Sequence, residues 1–239
     1  LSLDNIRSVL IRLEETIIFG LIERAQFRQN LAIYRRGEMW RELEGESLVG
    51  FLLHESEKSH AKVRRYTSPD EHPFFADLPK PILPAIEYEN PLKPNSVNIN
   101  GRVRASYEWE IIPFICESGD DRQWGSSSVC DVANLQNLSK RVHYGKFVAE
   151  SKYLSQQGRF QSLVRQGDAA ALMAAITDEA VEQQVLDRVH RKTVTYAAEF
   201  ESSSCGHKIN PDAVREIYRR WIIPLNKEVQ VQYLLERGI

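Results

Sequence analysis

Arg141 and Lys152 stand eleven residues apart in NLQNLSKRVHYGKFVAESK, Asn134 to Lys152, a stretch without proline. Leu135, Leu138, Val142 and Ala149 recur at helical spacing, so the stretch reads as one amphipathic helix. At about 100° per residue, eleven steps return to within about 20° of the start, which puts both cations on one face about 16 Å apart along the axis. Gly145 lies between them and leaves a notch. A planar guanidinium at one end and a compact ammonium at the other would grip a small dianion there. The competing reading is a solvated cationic stripe. The aromatic and aliphatic residues around the pair favour a site, as does the cost of a mid-helix glycine, about 1 kcal/mol.

Four more positions fit the same chemistry. Arg7 lies in the second turn of an amphipathic N-terminal helix, and Glu182 one turn into a helix opened by Thr177. Asn226 and Gln230 share a face of an apolar tail helix, and buried amides need partners, so they either pair with each other or point at a ligand. Lining one bundle cavity, these residues contain no nucleophile paired with a base and no metal-ligand set. They can bind a dicarboxylate and stabilise charge separation, which suits a reaction needing only conformational restraint and electrostatics.

The rest of the 239-residue chain narrows the class. A net charge of −2 gives no general attraction to nucleic acid or anionic membrane, so any anion site is a local cluster. Cys116, Cys130 and Cys205 are odd in number, far apart and without a CxxC, and the histidines form no HExxH. A disulfide framework and a zinc site are therefore disfavoured, and a reducing compartment is expected. Apolar runs are only a few residues long, so neither a membrane-spanning helix nor a signal segment is expected.

The elements that must position these side chains follow from periodicity. Leu3, Ile6, Leu10, Leu13, Ile17 and Leu21 predict a helix from Ser2 or Asp4 to about Phe27, with Glu14, Glu15, Glu23, Arg12 and Arg24 as exposed charges. Residues 28–46 read as loops. Ser47 opens a helix to about Arg65, whose Arg64-Arg65 pair suits the negative end of the helix dipole. Residues 66–100 hold seven of the ten prolines and predict an ordered meander over the surface, because apolar side chains such as Phe74 and Phe75 are interspersed. Helical spacing resumes over 98–116, with a kink at Pro113, and residues 117–128 read as a polar loop. Gly167-Asp168 breaks two short helices, 201–210 reads as a flexible loop, and Asn210-Pro211 starts the tail helix, kinked at Pro224. With no convincing run of alternating strands, the chain reads as all-α, a single multi-helix bundle domain spanning 1–239.

Four segments in order, LDNIRSVLIRLEETIIFGLIERAQF, HAKVRRYTSPDEHPFF, LSKRVHYGKFVAESKY and IIPLNKEVQVQYLLER, resemble the all-helical chorismate mutases of fungi and plants across essentially the whole chain. SVNIN near Asn100, and Gln230, look plant-like, whereas Arg64-Arg65 looks fungal. The resemblance implies a Claisen rearrangement of chorismate to prephenate without a cofactor, in phenylalanine and tyrosine biosynthesis. It assigns Arg7 and Arg141 to the substrate carboxylates, Lys152 to the ether oxygen and a carboxylate, Glu182 to the ring hydroxyl and Gln230 to the ether oxygen. Asn226 stands where threonine is common, and should still hydrogen-bond to substrate. Asp178 stands where fungal members carry asparagine, and is expected to point away from a dianion. The resemblance further implies a homodimer with tryptophan and tyrosine as effectors, bound by Arg64 and Arg65 of one subunit with Gly125 and Ser126 of the other. Val129 and Asn210 replace threonines of regulated members. Cytoplasm and plastid stroma both fit, and neither nucleic acid nor membrane is an expected partner. The rivals are an inactive mutase-like helical binding protein, against which the retained cations and Glu182 argue, and a di-iron bundle, which needs two ExxH motifs where the chain has one, Glu57 to His60.

Overall fold

The computed structural model describes residues 2–39, 41–43, 45–87, 89–200 and 209–238, without side chains at 41 and 198–200. Cys205 and most of the loop expected over 201–210 lie outside these residues. The order is α1 (Leu3–Arg24), 3-10 turns at Leu31–Tyr34 and Arg41–Leu43, α2 (Leu48–Lys62), a 3-10 turn at Arg65–Thr67, then α3 (Asn100–Ser106). A π turn at Tyr107–Ile111 joins α3 to α4 (Ile112–Ile115). Next come α5 (Trp124–His143), α6 (Gly145–Ser155), α7 (Gln157–Gln166), α8 (Ala169–Ile176), α9 (Glu179–Phe200) and α10 (Pro211–Ile217). A second π turn, Tyr218–Ile222, leads into α11 (Ile223–Arg237). No strand occurs among the described residues, and the fold is all-α.

Local chemistry sets most boundaries. Ser2, Ser47, Asp168 and Asn210 each accept a backbone N–H in the first turn of the helix they cap. Pro113 and Pro224 each sit just after a π turn. A proline lacks the N–H of the ladder and its ring crowds the carbonyl four residues back, and the wider turn relieves that clash without ending the helix.

Several expected boundaries shift. The central helix begins at Trp124, inside the stretch expected as a polar loop, and breaks at Tyr144 into α5 and α6. Helix α2 stops at Lys62, and Arg64 follows in the left-handed region at φ 71°, so the arginine pair lies beyond the helix rather than in its last turn. Asp178, not Thr177, caps α9, accepting the Val181 N–H at 3.1 Å. The Thr177 hydroxyl instead donates to the Met173 carbonyl at 2.8 Å.

Two residues expected as exposed charges are core. Glu14 and Arg24 continue the Leu10, Ile17, Leu21 stripe, and both are fully buried. Arg24 Nε meets Asp131 at 2.7 Å, and the hydroxyls of Tyr34 and Tyr107 donate to the same carboxylate at 2.7 and 2.8 Å. This cluster ties α1, the 3-10 turn at Leu31–Tyr34 and the π turn at Tyr107–Ile111 to α5. A Cβ at Gly20 would stand 1.9 Å from Asn134 Oδ1, so glycine there lets α1 and α5 approach closely. That approach lays the α1 residues Arg7 and Leu10 towards Arg141.

The proline-rich stretch 66–99 is an ordered meander, as its composition suggests. Buried Glu57 accepts the N–H groups of Phe74 and Phe75, and the Asn100 side chain donates to the carbonyls of His72 and Pro73. The Ile99 N–H donates to His143 Nε2 at 3.0 Å, and His143 stacks on His72, whose Nε2 lies 2.7 Å from Lys146 Nζ. Both imidazoles thus accept, which requires them neutral. Burial, with Lys146 nearby and against the bond to the Ser139 carbonyl, pushes His143 down to about 4, and burial, with His143 and Lys146 as neighbours, pushes His72 to about 2. A histidine depressed in the fold takes up its proton first in the unfolded chain. The stability it confers is complete above pH ~6.5 and drains away as pH falls towards 4, by about 1.4 kcal/mol per pH unit for each histidine. Thermal unfolding midpoints measured over this range should fall steeply for the wild type and less steeply for His143→Gln. Parallel curves would show that His143 does not titrate differently on folding.

Candidate active site

The notch at Gly145 holds protein, not ligand space. A Cβ there would meet the Asn226 backbone oxygen at 2.7 Å and its side-chain nitrogen at 2.9 Å. Asn226 Nδ2 donates to the carbonyls of Val142 and Arg141 at 3.0 and 3.2 Å, satisfying acceptors that the break at Tyr144 leaves without helical donors. The expected dianion site between Arg141 and Lys152 is therefore displaced sideways. The glycine admits α11, and the cavity opens beside the contact, between α1, α6, α9 and α11.

That cavity is about 130 Å3, and its wall includes Arg141, Lys152, Glu182, Asn226 and Gln230, five of the six residues selected from the sequence. Leu10, Val148, Ile176 and Ile223 give it apolar sides. Arg7 lies outside, 59% exposed and 3.5 Å from Asp4. It lines an adjoining recess of about 260 Å3 with Glu14 and Arg188, and the two spaces share Leu10, Arg141, Val181 and Val185.

Arg141 is the wall between them. It is 4% exposed, and its Nε and Nη1 are shielded from solvent and have no acceptor. Burial depresses its pKa, against the pull of Tyr218 and Glu14. A guanidinium stays charged in proteins, so this is a buried cation with donors to spare. Nearby Glu14 is already taken by Arg188, which grips it bidentately at 2.8 and 2.6 Å.

Lys152 projects from α6 and its Nζ donates to the Ile176 carbonyl at the end of α8. Burial lowers its pKa, while Asp178 and Glu182 pull it back up. Glu182 is bound by Lys227 at 3.0 Å. Of the alternatives for the tail amides, the two pair: Gln230 Nε2 donates to Asn226 Oδ1 at 2.9 Å, and Gln230 Oε1 stays buried without a donor. Asn226 must turn its nitrogen to two carbonyls, so its oxygen faces Gln230 and fixes which end of that amide donates.

Asp178 does not point away as expected. It is exposed at the mouth but lines the cavity while capping α9. Lys227, Glu14 and Arg188 line the two spaces without being among the six residues the sequence singles out. Glu14 and Arg188 were readable, since Glu14 continues the Leu10 stripe and Arg188 continues Val181 and Val185 at i+7 and i+3. Lys227 was readable too, since Ile223, Asn226, Lys227 and Gln230 stand at i, i+3, i+4 and i+7 and all four line the cavity.

The four effector positions lie elsewhere, and none lines either cavity. Arg64 donates to the Pro84 carbonyl. Arg65 pairs with Glu71 at 3.0 Å and donates to Gln136 at 2.9 Å. Gly125 and Ser126 are exposed in the first turn of α5.

The family of type II chorismate mutases matches residues 125–231. A chorismate mutase of Schizosaccharomyces pombe is 46% identical, covering 99% of this chain and 96% of its own. The crystal structure of the chloroplast chorismate mutase from Zea mays superposes with a TM-score of 0.92 at 45% identity, over 99% of this chain and 95% of that one. A chorismate mutase from Candida albicans, solved in complex with L-tryptophan, also gives 0.92, at 38% identity over 99% and 91%.

Proposed function

The chain belongs to the chorismate mutase family, and we propose that its central cavity binds chorismate and rearranges it to prephenate. In this isomerisation the ether C–O bond breaks as a C–C bond forms within one molecule, so no group is transferred and no cofactor is called for. The observation that carries the reading is Arg141, a buried guanidinium with unused donors on the wall shared by Lys152 and Gln230. Such a cation needs an anionic partner, and a dicarboxylate supplies it.

In this assignment Arg141 grips one carboxylate from within and Arg7, exposed at the rim beside Asp4, takes the other. Their grip holds the two reacting ends together and removes most of the entropic barrier. Lys152 meets the ether oxygen and a carboxylate, and Glu182, fixed by Lys227, accepts from the ring hydroxyl. Gln230 presents its second N–H to the ether oxygen, where negative charge grows as the bond breaks. Asn226 supports Gln230 and the chain break rather than the substrate. Purified protein should consume chorismate, followed by loss of its ultraviolet absorbance, and release prephenate. Binding without turnover would instead identify an inactive mutase-like protein.

Gln230 yields a pH signature. Its amide does not titrate, so kcat/KM of the wild type should be flat from weakly acidic to weakly alkaline pH. In Gln230→Glu the new carboxyl would face Asn226 Oδ1, an acceptor, and could bond it only when protonated. That raises its pKa above the ordinary value of about 4.3. The variant should be active at low pH and lose kcat/KM as pH rises. Identical flat profiles would remove α11 from the chemistry.

The same reading takes residues 1–239 as one catalytic domain, supported by a core that runs continuously from Ile6 to Leu234. It also takes the protein as a homodimer with an effector site built from Arg64 and Arg65 of one subunit and Gly125 and Ser126 of the other. The exposure of the latter pair and the L-tryptophan complex of the Candida albicans relative support it. Tryptophan and tyrosine are the expected effectors. No described helix is long and apolar enough to cross a membrane. Cytoplasm or plastid stroma suits the activity, and the chloroplast origin of the Zea mays relative supports the second.

A further inference from the structure

Lys227 has no part in the scheme beyond touching Glu182, yet it lines the cavity, at 21% side-chain exposure. Across the same space stands Asp178, a fixed carboxylate at the mouth whose charge reaches Lys152. A carboxylate facing a dianion opposes binding unless something cancels it. The inner wall carries Arg141, Lys152 and Lys227 against Asp178 and Glu182. In the outer recess Glu14 and Arg188 neutralise each other as a bidentate pair, which leaves Arg7 on the lining; its neighbour Asp4, 91% exposed, lines neither space and is screened by solvent. The two spaces together present two net positive charges. Without Lys227 they would present one.

We propose that Lys227 is a positioning residue that sets the charge of the cavity: it offsets Asp178, so that the wall is equal and opposite to a dicarboxylate, while holding Glu182 at the ring hydroxyl. The inference rests on the mutase reading above. Asp178 can sit at the mouth because it caps α9, and Lys227 removes the electrostatic penalty of having it there. Asparagine caps a helix as well as aspartate does, so Asp178→Asn removes the charge and leaves the cap.

The test is steady-state kinetics with chorismate on the wild type, Lys227→Met, Lys227→Arg, Asp178→Asn and the double variant Lys227→Met/Asp178→Asn, with circular dichroism on each. One charge at about 10 Å in a partly solvated site is worth about tenfold in binding. Lys227→Met should raise KM about tenfold, and Lys227→Arg should stay close to the wild type. Adding Asp178→Asn to Lys227→Met should bring KM back to within about threefold of the wild type, because the wall regains its charge. Asp178→Asn alone should lower KM several-fold, which keeps the test decisive if Lys227→Met does not fold. An unchanged KM in Lys227→Met, or a double variant no better than the single, overturns the inference. Wild-type turnover of chorismate tests the mutase reading separately, since these ratios are meaningful only once it is seen.

Discussion

Replacing Lys152 by alanine should lower kcat by about 10²–10³-fold, or about 2.7–4 kcal/mol of barrier, with helicity unchanged. The size follows from where the ammonium sits. Lys152 is half-buried among Val148, Ile176 and Ile223, and burial already depresses its pKa. In such surroundings a charge aimed at a breaking ether bond acts through a low local dielectric and needs no reorganisation as negative charge appears. Its Nζ donates to the Ile176 carbonyl, which holds the head in place and leaves further donors for the substrate. The competing role is purely structural, a lysine that caps the carbonyl end of α8. That role predicts a slightly lower unfolding midpoint, from the loss of one hydrogen bond worth about 1 kcal/mol, and nearly normal kcat. A purified variant with normal circular dichroism and more than a tenth of wild-type turnover would support the cap and remove Lys152 from the chemistry.

What the sequence revealed of this site was its residue types rather than its shape. The stripe Leu135, Leu138, Val142 marks α5, and Arg141 and Lys152 both line one cavity although the helix between them breaks at Tyr144. The notch at Gly145 misled because a glycine looks the same whether it makes room for a ligand or for a backbone. Only the chain that returns 81 residues later, with Asn226, decides between them. The break at Tyr144 was invisible for a related reason. Its dihedrals are nearly helical, and the carbonyls it frees are satisfied by that same distant asparagine. Glu14 and Arg24 were legible as a continuation of the Leu10, Ile17, Leu21 stripe. Their charge argues for the surface and their position for the core, and position prevails because a charge with a built partner can occupy a core site. Asp178 shows the converse. Its carboxylate argued against the cavity on electrostatic grounds, but its place as the cap of α9 fixes it at the mouth, and the offsetting Lys227 comes from another helix.

Arg141→Met should separate function from stability, with the two moving in opposite directions. On the functional side the variant loses a desolvated guanidinium that grips a carboxylate. Truncating one member of a buried charged pair costs about 2–5 kcal/mol of affinity, at least about thirtyfold in kcat/KM. Most of the loss should fall on KM, because the carboxylate is present in both the ground state and the transition state. On the stability side, the free protein carries Arg141 Nε and Nη1 buried without acceptors, and each buried donor without a partner costs about 1–3 kcal/mol. Methionine has a similar reach, no donors and no charge. It should pack against Leu10, Val181 and Val185 and stabilise the empty protein by about 1–3 kcal/mol. For a chain of this size each kcal/mol raises the unfolding midpoint by about 2–4 °C. The cost of holding Arg141 ready is recovered only when a dianion binds, so chorismate at one concentration should raise the midpoint of the wild type more than that of the variant. Thermal melts with and without substrate, alongside steady-state kinetics, measure all of these quantities. A normal KM in the variant would mean that Arg141 does not hold a carboxylate. A lower midpoint would mean that its guanidinium stabilises the free fold, through Tyr218 and Glu14, and is not an unpaired cation waiting for substrate.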